Sequence, residues 1–147
     1  MKNKIVIYTD GACSGNPGKG GWGALVIFPD RNLKISGYEE HTTNNRMELF
    51  AAISSLNIIK APSLIDLHTD SMYLKNGITS WINQWVVNSW RSKSNKTIKN
   101  VDLWKKLYTF NNFHSIDWIW VEGHSGNMGN ETADQLARNE IIKHRNK

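Results

Sequence analysis

The amino-acid sequence predicts an α/β fold with a single mixed five-stranded sheet, three strands antiparallel and then two parallel, flanked by helices. Three observations support this prediction. The first 40 residues contain three short runs of β-branched and aromatic residues separated by turn signals. Near residue 45 the apolar spacing changes to that of an amphipathic helix. Two later β-branched runs, at residues 64–69 and 116–121, each follow helical segments.

The N-terminal strands form the antiparallel part of the predicted sheet. They are expected at residues 4–9, 22–28 and 33–38, with a hairpin turn at residues 29–32. Asp10 and Gly11 form a turn signal after the first strand. The five glycines within residues 11–21 are expected to exclude regular structure there and to allow close backbone approach to a ligand.

Helices alternate with the two remaining strands. Apolar residues at helical spacing predict a helix over residues 45–60 that ends before Pro62. The strand at 64–69 leads into Asp70, and the short helix after it is expected to stop at Gly77. The remaining predicted elements are a helix at 80–90, a helix from about residue 100, a strand at 116–121, a glycine-rich loop at 123–130 and a helix at 131–143.

The last two strands are reached through helices, so they should join the sheet in parallel by right-handed crossovers. Asp10 and Asp70 would then lie side by side at the carboxyl edge, where open α/β sheets place their sites.

Length and composition narrow the class of protein. The 147 residues suit one domain spanning 1–147. Cys13 is the single cysteine, which excludes an internal disulfide and suits a reducing compartment. No apolar run approaches the roughly 20 residues that span a bilayer, and the first one is too short for a signal peptide. We therefore expect a soluble, cytoplasmic protein, and a monomer because no unpartnered apolar stripe is left over.

The charge distribution indicates a polyanionic partner. The formal net charge is +5 and the pI is about 9.4, which favours association with phosphates. A basic helix-loop protrusion is predicted at about residues 80–100. Its tryptophans and the cations that follow are Trp81, Trp85, Trp90, Arg91, Lys93, Lys96, Lys99, Lys105 and Lys106. A solvated basic surface is the simpler alternative, but tryptophans beside lysines are typical of surfaces that follow a nucleic-acid backbone.

Four acidic residues each have an ordinary structural explanation. Asp10 belongs to a turn pair, and Glu48 completes a capping box that begins at Asn45. Asp70 is placed to cap the short helix, and Asp134 to lie in the first turn of the last helix. Taken one at a time, these structural roles are the better interpretation.

Taken together, the same acids indicate a metal site. Four converging carboxylates repel one another and raise their pKa values, and the only cations expected nearby are Arg46 and Lys19. Hard divalent ions relieve that repulsion, so Mg²⁺ is the expected cofactor, with Mn²⁺ as a substitute. Two such ions roughly 4 Å apart can activate a water and stabilise the leaving oxygen of a phosphodiester.

An ordered set of sequence blocks resembles the bacterial-type ribonuclease HI family. The blocks are residues 8–18, 42–49, 69–71, 77–81 and 99–104, followed by Gly123-His124, Asn130-Glu131 and Ala133-Asp134. The resemblance runs in order over essentially the whole chain. It implies a ribonuclease H-like fold and an endonuclease that hydrolyses the RNA strand of RNA–DNA hybrids, leaving 5′-phosphate and 3′-hydroxyl ends.

The resemblance also implies residue roles. Asp10, Glu48, Asp70 and Asp134 match the four metal-binding acids of the catalytic site. His124 matches a catalytic histidine that positions or deprotonates water, or assists product release; the alternative is an ordinary surface histidine. Glycines at 123 and 126 would make its loop mobile, which suits a transient proton carrier.

Contacts to the RNA–DNA hybrid are implied in the same way. The minor groove, where only RNA offers a 2′-hydroxyl, is expected to meet Gly11, Cys13, Asn16, Asn44 and Asn45. Thr43 and Asn100 match a pocket for a DNA phosphate, and Trp81 and Trp85 match the protrusion that holds the DNA strand.

Two departures from the family pattern affect binding rather than chemistry. Met72 replaces a glutamine that contacts the groove, and Val86 and Val87 replace lysines of the protrusion. We expect weaker or more salt-sensitive binding without loss of activity. Two alternative functions remain: a transposase- or integrase-like core, which would lack the 42–48 block and the histidine loop, and a non-catalytic hybrid-binding module, which would have lost an acid.

Overall fold

A mixed five-stranded sheet organises the chain, as predicted. The computed structural model describes residues 4–145, so part of the N-terminal stretch on which the signal-peptide expectation rests lies outside it. The strands follow the order β3-β2-β1-β4-β5. The β1–β2 and β2–β3 pairs are antiparallel, and the β1–β4 and β4–β5 pairs are parallel. Their bounds are β1 Ile5–Ser14, β2 Gly18–Ile27, β3 Asn32–Thr42, β4 Leu64–Thr69 and β5 Ser115–Trp120.

Helices cover both faces of this sheet. Their bounds are α1 Asn44–Asn57, α2 Met72–Asn76, a π-helical turn Gly77–Trp81, α3 Ile82–Val87, α4 Val101–Phe113 and α5 Met128–Lys143. A Cβ on Gly20 of β2 would meet Met47 of α1, whereas one on Gly21 would meet Ala137 of α5. Successive strand residues point to opposite faces, so α1 and α5 lie on opposite sides of β2. Across residues 4–145, no helix is long and apolar enough to cross a membrane.

The glycine-rich segment near the N-terminus is regular structure except for a turn at residues 15–17, which corrects the prediction of an irregular loop. β1 continues to Ser14 and β2 begins at Gly18. Gly11, Gly20 and Gly21 allow helices to pack closely on the strands, whereas Gly15, with a φ of +76°, belongs to the turn. A Cβ on Gly23 would lie 2.6 Å from the carbonyl oxygen of Ala133, closer than any side chain tolerates. Composition alone does not distinguish a glycine that makes a turn from one that admits a helix.

The helix after β4 does not stop at Gly77, contrary to prediction. Gly77 has helical angles, φ −62° and ψ −50°, and the chain stays helical to Val87. A Cβ at this position would overlap the indole of buried Trp104, so the glycine makes room for a ring. Two other helix bounds also differ: α1 ends at Asn57 rather than residue 60, and α5 begins at Met128 rather than residue 131.

Candidate active site

Two of the predicted acids meet at the carboxyl edge of the parallel strands. The last residue pair between β1 and β4 is Thr9 opposite Thr69. Asp10 and Asp70 immediately follow these two residues in the chain, so they lie side by side. Asp10 was predicted to follow the end of its strand, but it lies within it. β1 continues beyond Asp10 and pairs this residue with Gly23 of β2. The longer strand holds the Asp10 backbone on one side, which fixes its side chain more firmly than a turn would.

The other two acids, Glu48 of α1 and Asp134 of α5, project from helices, and neither of them is the N-cap of its helix. The N-cap of α1 is Thr43, whose Oγ1 accepts a hydrogen bond from the Arg46 backbone N–H, so the predicted capping box with Glu48 is wrong. Asp70 is not a cap either, since that position belongs to Ser71. Asp134 lies in the second turn of α5 rather than the first. The structural alternatives for Glu48 and Asp70 are thereby removed.

Three of these carboxylates lie together in a pocket, two of them buried and Asp70 partly buried. Oxygens of Asp10, Glu48 and Asp70 lie within 4.8 Å of one another. Asp10 and Glu48 are about 95% buried, and Oε1 of Glu48 finds no hydrogen-bond partner among residues 4–145. Asp134 is also buried and lines the same pocket, here called the acid pocket. A buried carboxylate oxygen without a donor is costly unless a cation binds it.

Burial and mutual repulsion raise the pKa values of three of the acids, Asp10, Glu48 and Asp70, in the predicted direction. Desolvation first, then the charges of Asp70 and Asp134, raise the pKa of Asp10 to about 8. Burial and the neighbouring Asp10 and Asp70 raise the pKa of Glu48 well above its ordinary value, and burial raises that of Asp70. The Gly11 N–H donates to Oδ1 of Asp10 at 2.9 Å and opposes the shift. Oxygen donors held in this way fit a hard divalent cation.

The cation that lies beside the acids is Arg138, and not Arg46 or Lys19, which were the two expected there. Arg46 forms an ion pair with Asp102, and Lys19 donates to the carbonyl oxygen of His144. Nε of Arg138 donates to Oδ2 of Asp134 at 3.0 Å, and its Nη2 lies 2.9 Å from the same oxygen as an ion pair. Sequence reasoning missed this pair, although the i,i+4 spacing of an acid and a base on a helix was a signal for it.

His124 lies on the loop that covers one side of the acid pocket. Its ring is exposed, its φ is +57°, and its proximity to Asp70 partly opposes the burial that raises the pKa of that acid. A ring nitrogen of His124 and carboxylate oxygens of Glu131 and Asp134 lie within 4.8 Å of one another. Glu131 was not among the predicted site residues, although it stands three positions before Asp134. The arrangement places a titratable nitrogen at the pocket entrance.

The predicted minor-groove residues divide between two surfaces. Gly11, Asn44 and Asn45 line the acid pocket, and the Asn44 N–H donates to Oδ1 of Asn16 at 2.8 Å. Cys13 lines a neighbouring groove with Arg138, and its Sγ lies 3.4 Å from the Thr42 carbonyl oxygen. The structure thus brings the asparagines to the acids, whereas Cys13 borders a separate groove.

Thr43 and Asn100, predicted to share a phosphate pocket, are joined through Arg46. The Arg46 backbone N–H bonds to Thr43, and its Nη1 donates to Oδ1 of Asn100 at 3.1 Å. Asn100 has a φ of +61° and donates from Nδ2 to the hydroxyl of Tyr73 at 2.9 Å. Tyr73, missed by sequence reasoning, lines the acid pocket and thus connects the two regions.

Aromatic rings form a continuous surface beside the pocket. The Trp81 ring is 5.8 Å from Tyr73 and 6.1 Å from Trp85, and Trp85 packs on buried Trp104. Trp81 is 40% exposed, which leaves its face available for stacking. A shallow groove joins Trp81 and Trp85 to the basic segment, residues 91–99. Its cations, Arg91, Lys93, Lys96 and Lys99, are all exposed.

The two departures from the family pattern occupy different environments. Met72 is 49% exposed and lines the acid pocket, where its thioether replaces a polar side chain. Val87 is 81% exposed, whereas Val86 packs against the hydrophobic core. Only Val87 is therefore a solvent-facing position at which a lysine would add surface charge without removing core contacts.

The sheet order and the acid-lined edge define an α/β protein of the ribonuclease H-like fold class. A family model described as RNase H matches residues 2–142. Ribonuclease H of Rickettsia typhi is 56% identical over 137 residues, which cover 93% of this chain and 90% of the relative. The solved structure of LC9-RNase H1, a type 1 RNase H with the type 2 active-site motif, is 32% identical, with a TM-score of 0.86, and the match covers 96% of this chain and 73% of that one. The chain belongs to the ribonuclease H family.

A further solved structure shows the same fold with nucleic acid present. LC11-RNase H1 in complex with an RNA/DNA hybrid is 22% identical, with a TM-score of 0.69, and the match covers 96% of this chain and 99% of that one. At this identity the likeness concerns the fold alone.

Proposed function

We propose that the acid pocket of this ribonuclease H family member hydrolyses the RNA strand of RNA–DNA hybrids, with Mg²⁺ held by Asp10, Glu48, Asp70 and Asp134. The observation that carries the proposal is the convergence of the Asp10, Glu48 and Asp70 carboxylates, one of which, Glu48, has a buried oxygen with no hydrogen-bond partner among residues 4–145, and Asp134 lines the same pocket. The bound ions would supply an acidified water and stabilise charge on the phosphodiester oxygens. The products are a 5′-phosphate and a 3′-hydroxyl.

The chain's own residues supply orientation and proton transfer. The β1–β4 edge fixes Asp10 and Asp70, and Gly11 permits α1 to approach closely enough to bring Glu48 beside them. His124 stands exposed at the entrance, where an imidazole can accept or return a proton. Its ring positions the attacking water or takes its proton.

The surfaces around the pocket distinguish the two strands of the hybrid. Asn44 and Asn45 carry amides that can bond to the 2′-hydroxyl, a group that only RNA offers. Thr43 and Asn100, joined by Arg46, hold a phosphate of the DNA strand, and Trp81 and Trp85 stack beside it. The basic segment contributes affinity without sequence selectivity, because it meets only the backbone. The protein acts as a monomer.

A substrate panel tests the proposal. Labelled RNA–DNA hybrid, duplex RNA, duplex DNA and single-stranded RNA are incubated with the protein in Mg²⁺, Mn²⁺ or EDTA, and the product ends are mapped. We expect cleavage of the RNA strand of the hybrid in either metal and none in EDTA. Cleavage of duplex DNA, or metal-independent cleavage, would contradict the proposal.

A further inference from the structure

Asp134 differs from the other three acids in having a cation of its own. The guanidinium of Arg138 donates from Nε to Oδ2 at 3.0 Å, and its Nη2 lies 2.9 Å from the same oxygen. A third contact, from Nη2 to Oε1 of Gln135 at 3.3 Å, holds the guanidinium in place along the helix. Asp10, Glu48 and Asp70 take part in no ion pair described for residues 4–145.

The Asp134–Arg138 pair contributes more to geometry than to stability. The Arg138 side chain is 52% exposed, and an ion pair with one exposed partner adds little free energy of folding. A planar guanidinium that holds one carboxylate oxygen by a hydrogen bond and a second close charged contact nevertheless restricts the rotation of that carboxylate. On its other side Asp134 lies beside Asp10, within the acid pocket.

We propose that Arg138 is a positioning residue that holds the Asp134 carboxylate toward the acid pocket, so that it is in place when a divalent ion binds. This inference rests on the proposed function, because it assigns Asp134 to the ion-binding set. Arg138 acts through Asp134 and contacts neither the substrate nor the ion. The i,i+4 spacing on one helix keeps the two side chains in register.

The same groove supplies a competing explanation and a matched control. Arg138 lines the groove beside Cys13 together with Arg145, seven residues further along the chain. If Arg138 acted by binding a phosphate of the hybrid there, Arg145 would share that role. The two arginines differ in one respect: the ion pair with Asp134 belongs to Arg138. Arg145→Gln therefore tests the groove, and Arg138→Gln tests the groove and the pair.

The experiment compares Arg138→Gln, Arg138→Lys and Arg145→Gln of the full chain, each checked for folding by thermal unfolding. Calorimetric titration with Mn²⁺ alone, without substrate, measures ion affinity, and steady-state cleavage of hybrid measures kcat and KM. We expect Arg138→Gln to bind Mn²⁺ about tenfold more weakly and to lose about tenfold in kcat, the usual scale for removing a partner that orients a metal ligand. KM should change less than about twofold, Arg138→Lys should recover part of both losses, and Arg145→Gln should resemble the unsubstituted protein.

A double-substitution cycle makes the inference specific. In an Asp134→Asn background, Arg138→Gln should cause no further loss of Mn²⁺ affinity, because the side chain it orients is already altered. A full further loss in that background would overturn the inference. So would tighter Mn²⁺ binding by Arg138→Gln, which would make Arg138 a competitor of the ion, or a rise in KM shared with Arg145→Gln. Failure of the unsubstituted protein to cleave hybrid would refute the proposed function instead.

Discussion

The acid pocket and the basic segment, which we propose to act on the same phosphodiester substrate, are built in opposite ways. In the acid pocket, like charges are forced together by buried strands and a helix, and Asp10 and Glu48 are almost fully enclosed. In the basic segment, like charges stand apart on an exposed loop, and Lys93, Lys96 and Lys99 are open to water. Enclosed charge can direct chemistry because geometry and pKa values are fixed, whereas exposed charge adds affinity that salt screens.

The largest difference between the two regions should appear when a charge is removed from each. Asp10→Asn keeps the shape of the pocket and removes one ligand charge, so we expect hybrid cleavage to fall by at least about a hundredfold, the scale for losing a group that stabilises transition-state charge. Hybrid binding, measured by fluorescence anisotropy, should be preserved. Cleavage by Asp10→Asn at the unsubstituted rate would contradict the assignment of Asp10.

A methyl group added beneath the acids should disturb the enclosed region by shape alone. A Cβ on Gly11 would lie 2.5 Å from the backbone nitrogen of Glu48 and 2.6 Å from the carbonyl carbon of Met47, and backbone atoms cannot move aside individually. We expect Gly11→Ala to lower the free energy of unfolding by about 2 kcal/mol, the cost of an overpacked core, and to reduce kcat. Chemical denaturation with assays on the same sample checks both. An unchanged unfolding midpoint would show that α1 tolerates displacement.

The pH dependence of stability should distinguish enclosed from exposed charge. The pKa of Asp10 is raised to about 8 in the folded protein and the pKa of Glu48 is raised as well, so the folded state binds more protons than the unfolded chain. This contribution to stability is present at low pH and is lost as the pH rises from about 4 to about 8. Burial lowers the pKa of His114, so this residue makes the protein less stable as the pH falls below the ordinary histidine pKa, which is the opposite trend. A difference in stability between two variants removes this contribution and is therefore the cleaner measurement.

We therefore compare the unsubstituted protein with Glu48→Gln in EDTA, where His114 contributes equally to both. The two should have similar Tm values at pH 5, and Glu48→Gln should be more stable at pH 8 by about 1 kcal/mol, or roughly 3 °C. Addition of Mg²⁺ should raise the Tm of the unsubstituted protein more than that of Glu48→Gln. A difference that shrinks with rising pH would reverse the sign and contradict the buried-repulsion account.

The smallest effects are expected in the exposed region. Combined Lys93→Gln, Lys96→Gln and Lys99→Gln should weaken hybrid binding, leave kcat unchanged, and reduce the slope of log affinity against log salt by up to roughly 0.9 per lost phosphate contact. Lys34→Gln, an exposed lysine on edge strand β3, is the control. Val87→Lys should have a small effect of opposite sign. A loss of kcat in the triple variant would show that the basic segment takes part in the chemistry.

Much of the fold was predictable because its determinants are local. Alternation and helical spacing identified all five strands, and the two crossovers through helices made the last strands parallel. The predicted ends of strands and helices were wrong where a glycine was assumed to mark a turn or a helix end. Gly77 was expected to end a helix, but it makes room for Trp104, 27 residues away. Such contacts join distant parts of the chain, and no window of sequence contains both partners.

For the site, the sequence by itself determined the chemical types and their family pattern, while the tertiary structure decided which neighbours each acid has. The four carboxylates and His124 were named from sequence, and the register of β1 on β4 placed Asp10 beside Asp70. Only the folded chain showed that Thr43 and Ser71 are the helix caps and that Arg46 is paired with Asp102. The reason is physical: a residue's type sets what it can bind, but burial and distance set what it does bind, and both arise from packing of segments far apart in the chain.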